Sequence, residues 1–142
     1  MKAIRSLLLF FARIAIAAVF IFAGANKIIS YDTTAQFMAS KGFTYIPAFL
    51  IGAALVELVG GLCLLLGYKT RFGAALLLLF LIPTTLIFHN FWMAPDAEKT
   101  LQQIMFLKNL AIFGGLLYVL CDGAGGCAVD SCCRHKEEVE KE

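Results

Sequence analysis

Four apolar runs, each about as long as a bilayer is thick, constrain this sequence more than any other feature. They cover residues 6–29, 46–66, 72–92 and 103–121. With 61% hydrophobic and 15% charged residues, the chain carries more apolar surface than a soluble domain of 142 residues can bury. The sequence therefore predicts an all-α membrane protein, a four-transmembrane-helix bundle, whose first partner is the lipid bilayer.

The segments around these runs predict the rest of the organisation. The first connection is long and polar, and it has room for a short interfacial helix near residues 35–40. We assign residues 1–121 to the four-helix transmembrane domain and residues 122–142 to a charged, cysteine-containing tail that we expect to be poorly ordered. The N-terminal run has features of a signal peptide, but Arg13 divides it and it continues to Ile29, so we expect it to be retained.

The distribution of lysine and arginine predicts the orientation. Four spans place both termini on the same side of the membrane as the turn at residues 67–71. The basic residues on that side are Lys2, Arg5, Lys69, Arg71, Arg134, Lys136 and Lys141. The opposite side has Lys41 and Lys99, with Lys27 near its surface. Since cytoplasmic flanks are enriched in Lys and Arg, we expect both termini in the cytoplasm. A net charge of +2 without a basic stripe argues against a nucleic-acid partner.

Polar residues inside or beside the spans predict contacts between helices, because each one costs free energy in lipid unless it is paired. An arginine fork can bind a carboxylate, so we predict a structural pair between Arg13 and Glu57. A second group is expected nearer the outer surface, formed by Lys27, His89, Asn90, Lys108 and Asn109. Small residues predict close helix packing, and these are Gly24, Gly60, Gly61, Gly114 and Gly115.

The outer polar group has two interpretations. In the structural one, Lys27 and Lys108 extend toward the surface and His89 caps a helix end. In the functional one, the same residues line a ligand-binding pocket for a quinone headgroup or a small anion. A lysine would donate a hydrogen bond to a quinone oxygen, and His89 would exchange the proton. The sequence identifies no catalytic residue, and whether the protein is an enzyme stays open.

Four cysteines lie at the end of the last span and in the tail, at Cys121, Cys127, Cys132 and Cys133. Their spacing, C-x5-C-x4-C-C, is neither the paired C-x2-C of a structural zinc site nor a thioredoxin-like C-x-x-C. We therefore assign no metal site. Metal binding by the tail cluster, redox sensing, acylation and the absence of any function stay open.

Several short motifs, in a fixed order, resemble the DoxX family of small bacterial and archaeal membrane proteins. They are Arg13, "FAGANKI", "FMASKGF", "ELVGGLCLLLGYKTR", "FHNFW", "FLKNLAIFGGLL" and "GAGGCAVD", which together run from Arg13 to Asp130. The resemblance implies a four-helix membrane bundle, located in a bacterial cytoplasmic (inner) membrane. It also implies, for some members, a role in quinone-linked sulfur oxidation or as a membrane anchor of complexes that handle thiol or oxidative stress.

Three hypotheses for function follow. The first is a subunit or anchor of a quinone-linked oxidoreductase complex, which would need a redox partner because the chain shows no clear electron carrier of its own. The second is a non-catalytic scaffold or assembly factor. The third is a small-solute or lipid carrier, with its break at Pro83 in the third span. Four short helices bury little area against one another, so a homo-oligomer is also compatible with the sequence.

Overall fold

The computed structural model describes residues 2–126 and 128–130, and within them the chain forms five helices. These are α1 (Lys2–Ile29), α2 (Tyr31–Ser40), α3 (Ile46–Leu66), α4 (Thr70–Phe88) and α5 (Asp96–Asp122). The four long helices are apolar enough to cross a membrane, which confirms the four predicted spans. The short helix α2 occupies the place predicted for an interfacial helix, and it is longer than the six residues that we assigned to it.

Helix α3 is the centre of the bundle, since it packs against α1 on one side and α4 on the other. Glycines allow these close approaches. A Cβ on Gly24 would lie 3.1 Å from the backbone oxygen of Ala54 on α3, and one on Gly73 would lie 3.1 Å from the oxygen of Gly60. Helix α5 packs mainly on α4 and touches α1 less. The buried apolar core lies among α1, α3, α4 and the end of α5.

Several helix ends differ from the predicted boundaries, and two of them bear on the site. Helix α4 ends at Phe88, four residues before the predicted end at Trp92, because His89 and the residues after it form tight turns closed by hydrogen bonds such as Met93 N–H to the Asn90 oxygen. Helix α5 begins at Asp96, seven residues before the predicted start. Pro95 precedes it and Asp96 and Glu98 lie in its first turn, where negative charge stabilises a helix.

The described part of the tail, residues 123–126 and 128–130, folds back over the end of the bundle where α1 begins and α5 ends. We call this segment the strap and this end the terminal end. The Arg13 guanidinium, buried in the bundle, donates a hydrogen bond to the Ala124 oxygen. The Asp130 backbone N–H donates to the Gly67 oxygen at 2.9 Å. The expectation of a poorly ordered tail is therefore wrong for these residues, and residues 131–142 lie outside the described part.

Asp130 fastens the strap to the start of α4. Its carboxylate accepts hydrogen bonds from the backbone N–H groups of Lys69 at 2.8 Å and Thr70 at 3.0 Å, and from the Thr70 hydroxyl at 3.0 Å. Burial alone would raise the pKa of Asp130, but these hydrogen bonds and the nearby charge of Arg13 lower it overall. A lowered pKa means that the ionised carboxylate stabilises the folded chain.

We expect Asp130→Asn to lower the free energy of unfolding by about 1 kcal/mol at neutral pH, because the amide has no negative charge and keeps only one of the two acceptor oxygens. The contribution of Asp130 is present above the pKa of the unfolded carboxyl, near 4, and is lost as the pH falls through the lower folded pKa. Unfolding measured in mixed micelles at pH 7 and near pH 3 should therefore show the variant and the wild type converging in acid. Asp122→Asn is the control, because its pair with Arg5 is exposed and worth less. A deficit that is unchanged in acid would refute the role of the charge.

Candidate functional site

A cleft of about 670 Å³, lined by six phenylalanines and by charged and polar residues, lies on the face of α3 between α1 and α4. Helix α2 and the loop after it cover the end of the cleft that is far from the terminal end. We call it the aromatic cleft. Its phenylalanines are Phe22, Phe37, Phe43, Phe49, Phe80 and Phe88, and its polar residues are Asn26, Lys27, Thr34, Thr84 and His89. Its volume lies in the range of small-molecule sites, which are mostly apolar with a few placed polar groups.

A stack of three aromatic rings closes the covered end of the aromatic cleft. The ring of Phe88 at the end of α4 lies between those of Phe37 on α2 and Phe43 in the following loop, with centroids 5.7 Å and 5.6 Å away. Phe43 also makes an edge contact with Phe49 on α3 at 5.4 Å. Each such pair adds stability beyond its buried area. The stack therefore ties α2 to α3 and α4 above the cleft.

The polar wall of the aromatic cleft contains an ion pair inside the spans. The Lys27 Nζ lies 2.9 Å from one Glu57 oxygen and 2.7 Å from the other. The Glu57 side chain is only 5% exposed, whereas that of Lys27 is 23% exposed and borders the cleft. Lys27 therefore lies between a buried carboxylate and the cleft, and it carries N–H groups that a ligand can reach.

This pairing corrects the predicted pair of Arg13 with Glu57. Helices α1 and α3 are antiparallel, and Gly24 lies against Glu57 whereas Arg13 lies against Gly67. At a rise of 1.5 Å per residue, Arg13 and Lys27 are about 21 Å apart along α1. The sequence predicted the wrong partner for Glu57, because it gives no information on how far α3 is shifted along α1. Arg13 instead binds the strap through Ala124.

The predicted outer polar group does not form a single cluster. Lys27 and His89 both line the aromatic cleft. Asn109 instead bonds α5 to α4 through the Thr85 hydroxyl at 3.1 Å. Lys108 is exposed and contacts the Met105 sulfur on its own helix at 3.4 Å. Asn90 is half-buried in the turns after α4. The cluster divides because neighbouring positions on α5 point in different directions, and α5 does not border the cleft.

His89 connects the aromatic cleft to the start of α5. It follows the last residue of α4, and its Nδ1 lies 3.0 Å from the Gln102 side-chain oxygen, within hydrogen-bond distance. When Nδ1 donates to Gln102, the other nitrogen of a neutral ring is a hydrogen-bond acceptor. Such a group can take a proton from a bound molecule and pass it on.

The predicted packing glycines have different surroundings. Gly24 of α1 packs on α3, and Gly61 of α3 packs on α1. Gly60 lies against Leu77 of α4, and Gly115 lies against Ile16 of α1. The prediction that Gly114 packs against a neighbouring helix is wrong, since a Cβ placed there meets no atom within 4 Å. Neighbouring residues of a helix are rotated by about 100° about its axis, so Gly115 faces α1 and Gly114 does not.

The tail cysteines give no site within the described residues. Cys121 is exposed at the end of α5, and Cys127, Cys132 and Cys133 lie outside the described part of the chain. In residues 2–126 and 128–130, no three His, Cys, Asp or Glu side chains come together as a metal site would require.

Sequence reasoning missed the phenylalanines that form the cleft, Gly52 on its wall, and Asp130. A phenylalanine in an apolar run carries no signal that separates a cleft from a lipid-facing position. The position of Gly52 on the wall of the cleft can be recognised only in the structure, where a Cβ on it would meet no atom within 4 Å. For Asp130 there was a signal, since it ends the "GAGGCAVD" motif that carries part of the family resemblance.

Four long apolar helices define this chain as an integral, multi-pass membrane protein. It belongs to the DoxX family, whose model matches residues 8–90, more than half of the chain. The match covers most of α1 and all of α2, α3 and α4, and therefore the whole aromatic cleft and both members of the Lys27–Glu57 pair.

The chain is similar to two inner membrane proteins of Escherichia coli K12. It is 35% identical to inner membrane protein YphA over 90% of this chain and 91% of that protein, and 34% identical to inner membrane protein YqjF over 92% and 95%. It is also 34% identical to the ER-derived vesicles protein ERV29 of Saccharomyces cerevisiae, over 54% of this chain and 24% of that protein. No solved structure matches.

Proposed function

We propose that the protein is a membrane subunit or anchor of a quinone-linked redox complex, and that the aromatic cleft holds the quinone or quinol. The observation that carries the proposal is the composition of the cleft. Six phenylalanines surround a space of about 670 Å³ that has a lysine on one wall and a histidine at its edge. A quinone has a flat ring that packs against aromatic side chains and carbonyl oxygens that accept hydrogen bonds.

Each polar residue has a role in this proposal. Lys27 donates a hydrogen bond to one quinone oxygen while Glu57 keeps the ammonium in place. His89 exchanges a proton with the second oxygen. Reduction of the quinone takes two electrons from a partner that oxidises a thiol or a reduced sulfur compound, and two protons, and it yields the quinol. The partner carries the electrons, and this chain binds the quinone and anchors the complex.

We also propose that both termini face the cytoplasm. The described charged residues of the terminal end are mostly cations, namely Arg5, Arg13, Lys69 and Arg71 against Asp122 and Asp130. The opposite half has equal numbers of cations and anions among its described residues. The cations are Lys27, Lys41, Lys99 and Lys108, and the anions are Asp32, Glu57, Asp96 and Glu98. An excess of positive charge favours the cytoplasmic side. In this orientation the covered end of the aromatic cleft faces away from the cytoplasm.

Filling the aromatic cleft tests the proposal. Gly52→Leu adds a side chain where a Cβ meets no atom within 4 Å, so it should leave the fold intact while it occupies the cleft. We expect it to weaken the binding of a short-chain ubiquinone by the purified protein at least about tenfold, or 1.4 kcal/mol. The measurement is a binding titration in mild detergent, together with the quinone extracted from the native preparation.

Gly114→Leu is the matched control, since it also adds a leucine at a helical glycine with open surroundings, and Gly114 does not line the cleft. It should bind quinone like the wild type. Equal quinone binding by both variants would exclude the cleft as the site. A protein purified without quinone or a redox partner, and unable to bind added quinone, would instead support the scaffold hypothesis.

A further inference from the structure

A second cavity, away from the aromatic cleft, lies between α1 and α5 in the half of the bundle near the terminal end. We call it the α1–α5 groove. The two helices pack closely at Gly115, where a Cβ would lie 2.9 Å from the Ile16 side chain. Toward the terminal end they leave a space of about 680 Å³ between them. Its position on the outside of two spanning helices makes it accessible from the lipid.

Apolar side chains form most of the walls of the α1–α5 groove. Leu8, Ala12 and Ile16 of α1 face Tyr118 and Val119 of α5 across it. The strap supports the α1 side, because Gly125 packs so closely on Leu9 that a Cβ would lie 3.2 Å from the Leu9 Cβ. The walls therefore fit a hydrocarbon chain that lies along the helices.

Arginines gather where the α1–α5 groove reaches the terminal end. Arg5 lines the groove, and its side chain is 69% exposed although it contacts Asp122. Arg71 donates a hydrogen bond to the Cys121 oxygen and lies 3.5 Å from the position of a Cβ on Gly123, which also lines the groove. With Arg5 and Arg71 against Asp122, the mouth carries net positive charge at the depth of the lipid headgroups.

We propose that the α1–α5 groove binds one anionic phospholipid, with an acyl chain between α1 and α5 and the phosphate at Arg5 and Arg71. Arginine suits this task because its planar fork donates two parallel hydrogen bonds to a phosphate. The apolar walls fit any phospholipid, so the two arginines provide the preference for an anionic headgroup. The proposal does not depend on a quinone in the aromatic cleft, since the two cavities share no lining residue.

The test is native mass spectrometry of the delipidated protein with phosphatidylglycerol or phosphatidylcholine added. We expect one retained phosphatidylglycerol and a clear preference for it over phosphatidylcholine. Neutralising an arginine near a membrane surface removes about 1 kcal/mol, so Arg5→Gln and Arg71→Gln should each reduce the preference about fivefold. Lys108→Gln, which removes an exposed cation that does not line the groove, should leave the preference unchanged.

Blocking the groove tests the position of the acyl chain. Ala12→Trp places a large ring in the groove and should abolish the single retained lipid, whereas Ala18→Trp, at an exposed position of α1 outside it, should not. A photoreactive phosphatidylglycerol provides a test on the wild type and should crosslink to residues 4–16 and 115–123. Equal retention of both lipids, crosslinks elsewhere, or a dimer that Ala12→Trp converts to a monomer would each overturn the proposal. The last result would assign the groove to a second copy of the chain.

Discussion

Replacing Lys27 by methionine is expected to lower the free energy of unfolding by about 3 kcal/mol, because it leaves the Glu57 carboxylate buried without its counter-ion. Glu57 is 5% exposed and its side chain is short, so it cannot reach water from the middle of α3. Unfolding by a denaturing detergent in mixed micelles measures the effect. Lys108→Met is the matched control, since Lys108 is an exposed lysine in a span and contacts Met105 on its own helix.

The reverse change should cost less. Glu57→Gln leaves Lys27, whose side chain is already 23% exposed and lies within one turn of the end of α1. A lysine there can extend its flexible chain toward the interface, so we expect a loss of about 1 kcal/mol. The double variant should recover most of the stability lost in Lys27→Met, because it removes both charges. A double variant less stable than Lys27→Met would contradict the pairing.

Gly67→Ala is expected to lower the free energy of unfolding by about 3 kcal/mol, from two separate causes. Gly67 ends α3 with φ +67, a conformation that an L residue adopts at a cost of about 1–2 kcal/mol. In addition, a Cβ there would lie 2.5 Å from the Ala128 Cβ and 3.0 Å from its Cα, so the strap would have to move. Thermal unfolding and protease access to the strap measure the two effects together.

Gly42→Ala separates the two causes. Gly42 also has a positive φ, of +83, but a Cβ there meets no atom within 4 Å. It should therefore show the backbone cost alone, and the excess in Gly67→Ala reports the contact with the strap. If both variants lost the same stability, the packing of the strap on the α3–α4 turn would contribute nothing. Faster cleavage after residue 122 in Gly67→Ala alone is the result that we expect.

The lysine at the edge of the aromatic cleft connects stability to the proposed function. In the absence of ligand, Lys27 satisfies Glu57, and a bound quinone would share the same ammonium group. Added quinone should therefore stabilise the wild type against unfolding, as any ligand that binds only the folded state does. The Lys27–Glu57 pair can stay in place, because an ammonium group has three N–H groups and the two contacts with Glu57 use two of them.

The sequence by itself determined the four spans, the short helix α2 and the family, because these depend on hydrophobicity over some twenty residues and on local motifs. It also identified Lys27, Glu57, His89 and Arg13 as polar residues that need partners. It did not identify the partners of these residues. A pair within the membrane requires equal depth on two helices, and a run of apolar residues does not fix how far one helix is shifted along the next.

Only the tertiary structure decided which groups meet. The close contacts at Gly24 and Gly61 set the position of α1 along α3. In that position Glu57 forms an ion pair with Lys27, and Arg13 forms a hydrogen bond with the strap. The aromatic cleft likewise exists because α1 and α4 stand apart on one face of α3, which no single segment encodes. Hydrophobicity places each helix in the bilayer, but packing between helices, through small residues and a few polar contacts, decides the register and therefore the site.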